Sequence, residues 1–91
     1  MDKYTEAAIK IIKEQESVIG PVAFDLAKRA GGINFVSERD VTIQGDPQNA
    51  LNNLVVQYSQ LFGRTSVEVS KKAIRYLVSS PEGFTVPDIL K

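Results

Sequence analysis

Apolar residues recur at three- and four-residue spacing through most of this chain, and glycine, alone or beside proline, cuts the pattern repeatedly. That period is the signature of amphipathic helices with one buried stripe each. Tyr4, Ala8, Ile11, Ile12, Gln15, Val18 and Ile19 share one stripe and predict a helix from about Asp2 to Ile19. Lys10, Lys13, Glu14 and Glu16 fall on its wet side. Gly20-Pro21 breaks this helix and opens a second, because proline loses nothing at a first helical position where the amide has no partner.

Val22, Leu26 and Ala30, with Ala23 and Ala27, form the buried stripe of the second helix, and Gly31-Gly32 ends it. Ile33-Asn34-Phe35 and the β-branched Val41-Thr42-Ile43 read as two short strands around a polar turn from Ser37 to Asp40. Gly45-Asp46-Pro47 predicts a helix start with Asp46 as N-cap. Leu51, Leu54, Val55, Tyr58, Leu61 and Phe62 then follow in the clearest helical period of the chain, which Gly63 stops. Thr65-Ser66-Val67-Glu68 has the form of a capping box. Val67, Ser70, Ile74, Leu77 and Val78 mark the inner face of a fourth helix to about Ser79, a turn spans Ser80 to Gly83, and Phe84-Thr85-Val86 reads as a last short strand.

The fold class expected is therefore mainly α with minor β, with four helices as two helical hairpins plus short strands in a single small domain, residues 1–91. Sliding the chain by 43 positions adds a second expectation. Gly20 falls on Gly63, and Ala8, Ile11, Ile12, Val18 and Ile19 fall on Leu51, Leu54, Val55, Leu61 and Phe62. Six positions are identical under this offset: Ala7/Ala50, Gly20/Gly63, Lys28/Lys71, Ala30/Ala73, Ser37/Ser80 and Thr42/Thr85. Shared helical patterning can produce part of this. A true internal repeat, with halves 1–45 and 46–91, would pack its two hairpins about a pseudo-twofold axis and leave a natural ligand or partner site at their junction.

Composition removes several chemistries. The chain has no cysteine and no histidine, so it lacks disulfides, thiolate nucleophiles, the usual general base at neutral pH and the common zinc ligands. We expect no cofactor and no enzymatic activity. Eleven basic residues balance eleven acidic ones, so no global field steers the chain toward nucleic acid. The apolar runs fall far short of the ~20 residues that cross a bilayer, and Met1-Asp2-Lys3-Tyr4 does not open a signal peptide. The expectation is a cytoplasmic protein with no membrane association.

Several surfaces compete for a role. Phe24 lies across the second helix from Leu26, Tyr76 lies outside the Ile74 and Leu77 stripe, and Val69 leans the same way; these three are the candidate apolar anchors of an interface. Lys28, Lys71, Lys72 and Arg75 would form its polar rim. Arg64, Thr65 and Ser66 at a helix start have the ingredients of an anion site, although a capped interhelix turn accounts for the same residues. Leu26-Ala27-Lys28-Arg29-Ala30-Gly31 resembles the helix and turn of a helix-turn-helix, but a strand pattern follows where a recognition helix would stand. The sequence thus favours a protein-protein interaction or regulatory module, self-associating as a homodimer or binding another protein. A nucleic-acid-binding regulator using the second or fourth helix, and a small-ligand domain at the junction of the halves, are the rivals.

Overall fold

A computed structural model describes residues 3–37, 40–78 and 86–90. Among these, helices α1 (Lys3–Ile19), α2 (Val22–Arg29), α3 (Pro47–Phe62), α4 (Arg64–Ala73) and α5 (Arg75–Val78) account for most of the chain, with strands β1 (Ile33–Phe35) and β2 (Val41–Ile43) between α2 and α3 and a 3-10 turn over Asp88–Leu90. The protein is mainly α with minor β, as its periodicity predicts. No described helix is long and apolar enough to cross a membrane.

Gly20 turns the chain between α1 and α2; the amide of Ala23 donates to the Gly20 carbonyl at 3.0 Å and that of Phe24 to the Pro21 carbonyl at 3.0 Å. The hairpin follows the expected pattern: β1 and β2 are antiparallel, with Ile33 opposite Ile43, Asn34 opposite Thr42 and Phe35 opposite Val41. Gly32 permits the close approach that seats this hairpin. Its φ is +88°, and a Cβ there would lie 3.0 Å from the Ala50 Cβ and 3.1 Å from the Gln44 carbonyl oxygen. Asp46 caps α3 by accepting from the Gln48 amide at 3.0 Å, with Pro47 in the first turn.

Two expected features differ. The capping box does not form: α4 starts at Arg64 with Gly63 as its N-cap and no side-chain cap, the Ser66 hydroxyl donates back to the Gly63 carbonyl at 2.7 Å, and Glu68 pairs with Lys71 at 3.7 Å. Gly63, at φ +69°, lets the helix start two residues earlier than the sequence pattern suggests. The fourth helix is also broken. Ile74 leaves helical geometry at φ −109° and ψ 9°, and α5 restarts beyond it, so that Ile74 and Leu77 both reach the core. The turn from Ser80 to Gly83 and residues Phe84 and Thr85 of the expected last strand lie outside the described residues; Val86 is not in a strand.

α1 packs against α2, α3, α4 and β2, while α3 packs against α1, α2 and α4. The two long helices therefore form the centre, and each touches the second helix of the other hairpin. Their buried residues correspond position for position under the 43-residue offset: Ala7, Ala8, Ile11, Ile12 and Gln15 on α1, and Ala50, Leu51, Leu54, Val55 and Tyr58 on α3. The last pair makes reciprocal bonds. Gln15 donates its amide to the Ser66 carbonyl of α4 at 2.8 Å, and Tyr58 donates its hydroxyl to the Ala23 carbonyl of α2 at 2.8 Å. Residue 66 is residue 23 displaced by the same 43 positions that separate 58 from 15.

Candidate interaction surface

The reciprocal bonds fix which parts of the chain are neighbours. Gln15 lies one helical turn before the end of α1 and Ser66 lies in the first turn of α4; Tyr58 lies one turn before the end of α3 and Ala23 in the first turn of α2. Both interhelix turns consequently lie at the same end of the molecule. The stripes of α1 and α3 continue past Gln15 and Tyr58 into their last turns, where Ile19 still packs against the core but most of the apolar side chains are left uncovered. Val18 is 58% exposed, Leu61 62% and Phe62 42%, and Val22 at the start of α2 is 37% exposed.

This overturns the expectation that Val18, Val22, Leu61 and Phe62 are core residues. Their periodicity is right, but helical phase does not say where along a helix the neighbouring elements stop. Val78, also expected on an inner face, is 44% exposed beyond the Ile74 break. A nearby glycine is the sequence signal for the first four: each of them lies within about one helical turn of Gly20 or Gly63.

The anchors and rim residues named from the sequence are distributed over both hairpins. Phe24 is half-buried on α2, where its ring meets Phe35 edge to face at 6.3 Å between centroids. The Lys28 ammonium sits 5.7 Å from the centroid of the same Phe35 ring, a cation-π distance. Phe35, on the hairpin, is the partner that helix periodicity alone could not supply. Val69 is half-buried on α4, and Tyr76 is 46% exposed on α5. The Tyr76 hydroxyl donates to a carboxylate oxygen of Glu6 on α1, so this ring is tethered across the sequence. Desolvation first, and then the hydrogen bond and charge of Glu6, push the Tyr76 hydroxyl up to about 12. Lys72 and Arg75 are exposed, whereas Lys71 is engaged with Glu68.

Of the three residues considered for an anion site, Ser66 is buried, and both its amide and its hydroxyl are committed to the Gly63 carbonyl. Arg64 and Thr65 are exposed beside it. A pocket of about 120 Å3 opens between α1, α2 and the hairpin, walled by Ile9, Ile12, Phe24, Phe35 and Val41 together with the charged Lys13 and Glu16. It lies within the first half of the chain. The junction of the halves is instead filled by side chains: Tyr58 and Gln15 are 0% and 1% exposed there. Burial drives the Tyr58 hydroxyl above its ordinary value of 10.

No cluster of three or more potential metal ligands occurs among the described residues. No protein-family model, curated protein or solved structure matches this chain.

Proposed function

We propose that this chain is a non-enzymatic interaction module that self-associates. The observation that carries the reading is the set of large apolar side chains left exposed near the two interhelix turns, Val18, Leu61 and Phe62, each more than two-fifths exposed; Val36, Tyr76 and Val78 are also exposed, on other elements. Scattered single hydrophobic residues are normal on a surface; several brought together around one pair of turns are a docking signal. A domain this small buries only about two thirds of its unfolded surface, so covering these groups with a neighbour would also add stability where it is scarce. The matching buried positions of α1 and α3 and the reciprocal Gln15 and Tyr58 bonds support the internal repeat expected from the sequence, in which each half presents the same kind of surface.

Light scattering over a concentration series tests the reading. The expected result is a weight-average mass that rises above that of one chain with concentration; a single-chain mass throughout would remove self-association. Two other readings have separate supports. The pocket between α1, α2 and the hairpin suits a small apolar ligand, whose binding would raise the melting temperature. The exposed Lys72 and Arg75 suit phosphate contacts, which would show as retention on nucleic acid that falls with added salt.

A further inference from the structure

We infer that the end of the molecule bearing the two interhelix turns is the surface on which a second copy of this chain docks, an inference that rests on the self-association proposed above. The first half contributes Val18 and Val22 and the second contributes Leu61 and Phe62, all within about one helical turn of the Gln15 to Ser66 and Tyr58 to Ala23 bonds. A patch built from two matching corners is suited to a twofold partner. Rotating a second copy by 180° lays Val18 and Val22 of one chain on Leu61 and Phe62 of the other, and the same contact then occurs twice.

The charges around the patch are complementary in the same sense. Glu14 lies on the exposed stripe of α1 one turn before Val18, and Arg64 lies just past Leu61 and Phe62 across Gly63. Neither is in an ion pair among the described residues. α1 has no basic residue in its last turn, so its terminal carbonyls add negative character at the Glu14 corner. In the twofold arrangement each Arg64 meets the Glu14 corner of the other chain. Eleven positive and eleven negative residues leave no net repulsion between copies. A bilayer surface is a poorer match, since Glu14 and Glu16 offset Lys13 and Arg64 near this end and leave no basic patch for anionic lipid. Stable interfaces bury about 800 Å2 per partner, and four side chains supply only the centre of such an area, so the dimer is a weak one.

Sedimentation equilibrium on the full chain provides the test, with melting temperature measured in parallel to show that each variant folds. The double variant Val18→Ser with Leu61→Ser is expected to weaken association at least tenfold while its melting temperature stays close to that of a wild-type monomer. Arg64→Glu and Glu14→Arg are each expected to weaken it, and an equimolar mixture of the two variants to recover part of the loss by forming a mixed pair. Wild-type self-association that survives all of these changes would overturn this face while leaving self-association standing. A wild type that is monomeric throughout would overturn both.

Discussion

The two halves of the core solve one packing problem with different side chains, and the difference shows what holds the fold. At corresponding positions, α1 carries Gln15 and α3 carries Tyr58, and each reaches the opposite hairpin through a hydrogen bond to a main-chain carbonyl. Tyr58 meets α2 at Ala23, and its single hydroxyl is satisfied there. Gln15 meets Ser66 and Ser70, donates to both, and leaves its Oε1 buried without a hydrogen-bond partner. A buried acceptor left unpaired costs free energy that an apolar side chain would not incur. The bond from Gln15 is also redundant, because the Ser70 hydroxyl donates to the same Ser66 carbonyl at 2.9 Å. The Tyr58 corner therefore stabilises the fold, whereas the Gln15 corner contributes geometry and little net energy.

Substitutions can break this contrast. The largest effect is expected from Tyr58→Ala, which removes a fully buried ring and its bond together. Loss of a large core side chain costs about 3–5 kcal/mol, and urea unfolding should show a corresponding fall in midpoint. Tyr58→Phe isolates the hydroxyl and should cost about 0.5–1.5 kcal/mol.

The same pair of proteins gives a pH test. Because the folded-state value of Tyr58 is raised above 10, the tyrosine contribution is complete below pH 10 and is lost as pH rises beyond it. Tyr76, held up to about 12 beside Glu6, contributes in the same direction. Wild-type stability should thus fall more steeply above pH 10 than that of Tyr58→Phe. Equal slopes would show that the buried hydroxyl does not resist ionisation.

The smallest effect is expected at the other corner. Gln15→Leu should change stability by no more than about 1 kcal/mol, with stabilisation the favoured sign because the orphaned acceptor disappears. A loss as large as that of Tyr58→Ala would mean that the two corners are energetically equal and that Gln15 Oε1 is satisfied in solution.

The sequence made most of the architecture legible because local chemistry and long-range packing agree over it. Asp46-Pro47 starts α3, Gly20 and Gly63 end the two long helices, and the β-branched run at Val41 to Ile43 pairs with Ile33 to Phe35. Three features were not legible. The Ile74 break follows from burial on both sides of it, which a single helical phase cannot express. Phe24 looked like an exposed anchor because its partner Phe35 lies on a different element. Val18 and Leu61 looked buried because periodicity gives the angle of a residue about the helix and not whether another element reaches that turn. The surface proposed for docking arises from that third feature, where the apolar stripe outlasts its neighbours.

Amide correlation spectra of labelled protein over a dilution series test this account most directly, because they report association and its location together. The account predicts concentration-dependent shifts concentrated in residues 14–22 and 59–65, at the shared end of the two hairpins. Shifts concentrated instead around Val69 and Tyr76, or none at any concentration, would contradict it.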